Sequence, residues 1–216
     1  MPAHYNEIAG QNVGRLEALS DGIFAVAMTL LVLDLRVPSV GSVHSEHELW
    51  LAIVALSPRI LMYLMSFLTL GIFWLGQQTE LNQLEGCNRN LAWIHLGFLF
   101  CVVLLPFSTM LLAEFITFRL ALVLYWLNLL MLGVALYASW GYAQHARLIG
   151  PGVSHEIAAA ICRRILYAQS LYALGALLCL VKTYWSIGFI VAVQLNYVVA
   201  PRFWRKGKKG ADSSAS

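Results

Sequence analysis

Three polar residues interrupt the first apolar stretch of this chain: Arg15, Ser20 and Asp21. A carboxylate inside a membrane-spanning helix is costly unless partnered, so Asp21 is the first candidate for function. Arg15 is one candidate partner, but it lies six residues away and off the face of Asp21. Groups on neighbouring helices are equally open. Familiar enzyme patterns are absent: there is no GxSxG, HExxH, phosphate loop or CxxC. Of the six histidines, His4, His44, His47, His145 and His155 fall in termini or connections, and only His95 falls within an apolar run. A lone intramembrane histidine is more often a helix–helix hydrogen-bonding group than a ligand. The cluster His44, Glu46, His47 and Glu48 could hold a metal weakly, although a solvated loop is the commoner fate of such a group. Cys87, Cys101, Cys162 and Cys179 show no paired spacing and read as small buried residues. The residues thus imply no catalytic group, no cofactor and no resident metal.

The elements that must position Ser20 and Asp21 are helices in a bilayer. Of the 216 residues, 60% are hydrophobic and 12% charged, against about 25% charged in a soluble domain. Roughly 20 apolar residues make one span, which leaves room for six spans, short connections and a tail. The expected fold is all-α and polytopic. The apolar runs are about 16–35, closed by Pro38; 49–75; 90–113, with Pro106 inside; 117–143; 159–181; and 183–200, closed by Pro201. The second would make roughly 40 Å of helix, too long for a core of about 30 Å. Pro58 divides it, which predicts a kink or a short interfacial helix before the span.

Lys and Arg placement sets the orientation. With six helices entered from the cytoplasm, the inner side holds Arg15, Arg89, Arg147, Arg163, Arg164, Arg202, Arg205, Lys206, Lys208 and Lys209. The outer side holds Arg36, Arg59, Arg119 and Lys182. Both termini are therefore expected in the cytoplasm, with the chain in the cell membrane. Residues 1–14 read as an N-terminal segment without the basic cluster of a cleavable signal, 15–201 as the membrane domain, and 202–216 as a basic tail. The tail reads as an ordinary positive-inside stop that can rest on anionic headgroups, and its last residues, Gly210 to Ser216, as disordered. The +3 net charge comes mostly from this tail and points to no nucleic-acid partner.

At 100° per residue, Leu19, Gly22, Val26, Thr29 and Leu33 fall on one stripe within about 80°. Asp21 points about 140° away from Val26, and Ser20 also points elsewhere. The stripe is slim and lacks bulky aromatics. It could pack tightly against another helix, which is the commoner use of such a face, or surround a pore gated by expelling water. Periodicity does not decide between them.

Arg15-x-x-x-Leu19-Ser20-Asp21-Gly22, followed by Ala25 and Thr29-Leu30-Leu31-Val32-Leu33, resembles the signature of the transmembrane protein 175 potassium channel family. Ser66-Phe67 with Gly71-Ile72-Phe73-Trp74 resembles its second helix, and Leu105-Pro106-Phe107-Ser108 its third. The resemblance covers most of residues 15–110; later helices match in number and length. Animal members carry two six-helix repeats, and prokaryotic members carry one and assemble as homotetramers. The resemblance implies a pore formed by the first helices of four chains, lined here by Val26, Thr29 and Leu33, with Gly22 and Leu19 on the same stripe. It implies that Val26 forms the constriction, that potassium is the permeant ion, and that Arg15, Ser20 and Asp21 hold the helices together by hydrogen bonds. The chain departs from the family at three places. Leu19 stands where Phe is usual, and Val26 where the constriction is usually Leu or Ile. Gln77 and Gln78 follow Trp74 where the family typically has histidine, so any bonding that needs that histidine is in question.

The leading expectation is a potassium-permeable channel with modest preference over sodium. Its rivals are a secondary transporter, a non-transporting membrane scaffold or membrane-embedded enzyme, and a proton-linked function at Asp21 and His95. A transporter would favour broken helices in two corresponding halves, and no inverted repeat accompanies Pro58 and Pro106.

Overall fold

In a computed structural model the described residues are 12–33, 35–38, 41, 43–180 and 182–211, with backbone alone for 199–211. Among them are seven α-helices: α1 Val13–Val32, α2 Glu46–Ala55, α3 Ser57–Leu81, α4 Arg89–Glu114, α5 Arg119–His145, α6 His155–Leu177 and α7 Thr183–Ala211. A 3₁₀ turn, Leu178–Leu180, ends α6. Polar residues open four of the helices. Side chains of Asn12, Ser45, Asn88 and Ser154 each accept a hydrogen bond from the backbone N–H three residues on, which satisfies donors a helix start leaves free. Glu48 accepts from the His44 N–H at 2.7 Å, so part of the His44–Glu48 cluster serves as the cap of α2.

The division expected at Pro58 is present. The apolar run splits into the short α2 and the long α3, with Pro58 in the first turn of α3, where its missing N–H leaves no bond unmade. Pro106 stays inside α4. There the Asn128 carboxamide, oriented with its nitrogen toward the Cys101 carbonyl (3.1 Å) and its oxygen toward the Leu105 N–H (3.2 Å), joins the helix ladder. Such local repair makes proline tolerable in a span. Closure at Pro201 does not occur: α7 continues to Ala211. Proline removes one backbone donor without preventing later residues from staying helical.

Three of the helices, α3, α4 and α5, are long and apolar enough to cross a membrane. Their shared core includes Met62, Met65, Val102, Leu105, Leu122, Leu129 and Leu132, all fully buried. Their outer faces expose Phe100, Phe107, Leu120 and Val134, as a surface solvated by lipid does. α4 and α5 form the most extensive pair, and α1 packs on α3 and α4. A buried hydroxyl chain crosses the bundle. Thr109 donates to Ser66 (2.7 Å), Ser66 to the Tyr125 hydroxyl (3.2 Å), and Gln194 to Thr69 (2.6 Å), which also meets Tyr125 at 3.2 Å. These bonds stitch α3, α4, α5 and α7, since hydrocarbon offers polar groups no other partner.

The α6–α7 contact depends on a missing side chain. A Cβ on Gly175 would lie 2.8 Å from Ile190 Cγ1 and 3.2 Å from Phe189 Cδ1. Gly175→Val should lower the thermal midpoint of the purified protein by an amount equivalent to about 1–3 kcal/mol of overpacking. Gly188 has open space around it, and Gly188→Ala should leave the midpoint unchanged or raise it.

Candidate functional site on the first helix

α1 has two faces with different surroundings. Leu16, Ser20, Phe24, Ala27 and Leu31 recur every three or four residues and are buried, the spacing of one helical face. On the other side Leu19, Val26 and Leu33 are 45%, 57% and 72% exposed. Gly22 and Thr29 are exposed with them. The whole predicted stripe therefore lies on the side of α1 turned away from its own bundle. The Thr29 hydroxyl donates to the Val26 carbonyl at 2.8 Å, which leaves its oxygen able only to accept. Leu19, Gly22, Val26 and Leu30 form a shallow groove with Val103 of α4.

Ser20 anchors the buried face. It is fully buried and its hydroxyl donates to the Leu16 carbonyl at 2.7 Å. Gln77 Nε2 of α3 donates to Ser20 Oγ at 2.8 Å, and His95 Nε2 of α4 lies 2.7 Å from it. Gln77 Nε2 also lies 3.1 Å from His95 Nε2, so Ser20, Gln77 and His95 form one triangle whose donor to the imidazole is set by its tautomer. Gln77 and His95 are 1% and 3% exposed, so three helices meet in one dry polar cluster.

Asp21 holds the adjacent register. Its Oδ1 accepts from Trp74 Nε1 at 2.7 Å and from Gln78 Nε2 at 3.0 Å. Two successive residues of α1 thus bond two successive residues of α3. The structure unites Ser20 and Asp21 with α3 and α4, and it does not bring Arg15 in. Among the described residues the Arg15 backbone N–H bonds Asn12 and its side chain is exposed. Asp21 takes its partners from a neighbouring helix and not from Arg15.

The partners Trp74, Gln77 and Gln78 carry the bonding that sequence reading left open. Glutamine donates to Ser20 and Asp21 from α3, and His95 brings an imidazole to Ser20 from α4. Glu80 went unnoticed in the sequence, yet it is buried. Phe73, Gln77 and Glu80 stand at helical spacing on the buried side of α3, a signal that would have found it.

The comparisons match this part of the chain. The family described as endosomal/lysosomal potassium channel TMEM175 matches residues 15–106, the segment that contains Ser20, Asp21, Trp74, Gln77, Gln78 and His95. A potassium channel of Streptomyces collinus is 32% identical over 193 residues, covering 87% of this chain and 84% of that one. This chain belongs to the TMEM175 family. A crystal structure of a lysosomal potassium-selective TMEM175 homolog from Chamaesiphon minutus shares the fold with TM-score 0.75 and 27% identity, over 87% of this chain and 97% of that one. The endosomal/lysosomal proton channel TMEM175 of Homo sapiens is 25% identical over 204 residues, 92% of this chain and 39% of the human protein. TMEM175 proteins are a family of channels and not of enzymes, and with three helices among the described residues long and apolar enough to cross a membrane this member is a multi-pass membrane protein.

The anchor predicts a graded response. Asp21→Ala leaves Trp74 Nε1 and Gln78 Nε2 without an acceptor, and should lower the thermal midpoint by the equivalent of roughly 1–3 kcal/mol. Asp21→Asn retains an oxygen in place and should cost less than half as much. Equal losses in the two variants would show that the charge, and not the hydrogen-bonded geometry, holds α1.

Proposed function

We propose that the chain is one subunit of a potassium-permeable channel whose pore is lined by the first helix of four identical copies. One observation carries the reading. The face of α1 opposite the Ser20 and Asp21 anchor is slim, apolar and largely exposed, with Val103 of α4 at its border. One helix cannot enclose a pore, whereas copies around a symmetry axis can. The bacterial relative's name as a potassium channel supports potassium as the permeant ion.

In this reading six helices cross the cell membrane, α2 lies at its outer edge, and both termini are cytoplasmic. Residues 15–201 form the channel domain and 202–216 its basic cytoplasmic tail. The protein is not an enzyme and uses no cofactor or metal; its partners are its own copies and lipid. Val26 forms the narrowest ring, with Gly22 and Leu19 on the inner side and Thr29 and Leu33 on the outer. An ion passing Val26 sheds part of its hydration where no oxygen replaces it. Potassium holds its water less strongly than sodium, so it passes more easily. The preference is smaller than that of a carbonyl-lined filter. Ser20 and Asp21 set the rotation of α1 and never meet the ion.

Ion flux into liposomes carrying the purified protein tests this. Potassium should enter faster than sodium, and Val26→Asn should change both conductance and selectivity. No potassium flux at any voltage or pH would sink the channel reading. Unchanged flux in Val26→Asn would remove Val26 as the constriction and leave the rest standing.

A further inference from the structure

A cavity of about 50 Å³ lies among α3, α5, α6 and α7, outside the packing that anchors α1. Glu80, 4% exposed, forms part of its wall, and Glu80 Oε1 reaches no hydrogen-bond partner among the described residues. Gln169 lines it from α6. Its Nε2 donates to the Leu129 carbonyl at 3.3 Å, and its Oε1 is buried without a partner among the described residues. The Thr79 hydroxyl donates to the Leu75 carbonyl at 2.7 Å, so its oxygen too can only accept. Tyr172 and Tyr197 add aromatic walls.

The two buried atoms left without a partner here, Glu80 Oε1 and Gln169 Oε1, are both acceptors. A buried carboxylate without a donor needs either a proton or a positive charge. One carboxylate balances one charge, which favours a monovalent ion over a divalent one. A water-sized body takes about 10–15 Å³ of such a cavity. There is thus room for an alkali or ammonium ion with part of its water, and none for a large ligand. Aromatic faces favour cations further. Arg164 stands at the rim with its guanidinium 5.9 Å over the Tyr197 ring. It is the rival partner for Glu80.

We propose that this cavity is a monovalent-cation site away from α1, with Glu80 as its charged ligand and Gln169 as its neutral one. The site does not rest on the pore reading, and its occupancy would tie α3 to α6.

The test uses the full chain in detergent and dicyclohexylcarbodiimide, which reacts with protonated carboxyls in apolar surroundings. Adducts at Glu80 are read by mass spectrometry in choline, potassium, sodium and ammonium chloride at one pH and ionic strength. A bound cation displaces the proton. Labelling should therefore fall about tenfold in at least one of the three salts at ten times its dissociation constant. Gln169→Leu should raise the protecting concentration, and Arg164→Ala should preserve protection. Equal labelling in every salt means a protonated carboxyl only and overturns the proposal. Labelling that appears only in Arg164→Ala means that Glu80 pairs with Arg164, and overturns it also. Should the reagent fail to enter, the thermal midpoint in the same salts decides. A cation-dependent rise that Glu80→Gln abolishes supports the site, and a midpoint indifferent to the cation, or unaffected by Glu80→Gln, overturns it.

Discussion

The rotation of α1 about its own axis is the constraint on which the rest depends. Hydrocarbon gives a polar side chain no water, so such a group must find its partner inside the protein. Ser20 and Asp21 find theirs on α3 and α4. Because adjacent residues are engaged, the fit is sensitive. Turning α1 by one residue moves every side chain by about 100°, and both sets of bonds are lost together. A slide of one turn has the same effect. The polar pairs add modest stability each, but they select one orientation among several that apolar packing alone would accept.

That orientation decides what the opposite face can do. With Leu16, Phe24, Ala27 and Leu31 turned inward, Leu19, Gly22, Val26, Thr29 and Leu33 must turn outward. Their small size and lack of charge suit a narrow apolar passage as well as close packing. α3 supplies most of the anchoring donors and is itself held by the Ser66, Thr69, Thr109, Tyr125 and Gln194 chain. Rigidity thus passes from the α3–α5 core to α1, and from α1 to its free face.

Much of this is legible in local sequence. Apolar run lengths place most helix ends to within about four residues, because each helix satisfies its own backbone, but they stop short of Leu81 at the end of α3 and of Ala211 at the end of α7. Pro58 marks the α2–α3 break, and a wheel separates the stripe from Asp21. What stays hidden is pairing over distance. Ser20 bonds Gln77 and His95, and Asp21 bonds Trp74 and Gln78, residues more than fifty positions away. Periodicity says which face a residue occupies and not what meets it there. The glutamines after Trp74 therefore leave the bonding open in the sequence, whereas in the fold Gln77 donates to Ser20 and Gln78 to Asp21. Arg15 is hidden in another way. Its place in the motif suggests a role in the cluster, and within a single chain its side chain is exposed, away from Ser20 and Asp21. Pro201 misleads because a proline can sit within a helix as well as end one.

The most direct measurement is a cysteine scan of α1 in liposomes, with potassium flux recorded before and after a charged, membrane-impermeant thiol reagent. Cys87, Cys101 and Cys179 are buried and Cys162 half-buried, so the native background can be checked first and Cys162 replaced. If α1 is fixed as described and its free face lines the pore, cysteines at positions 19, 22, 26, 29 and 33 react and change the flux. Those at 16, 24, 27 and 31 do not. Reaction on both faces alike, or on the Phe24 face alone, would contradict the account.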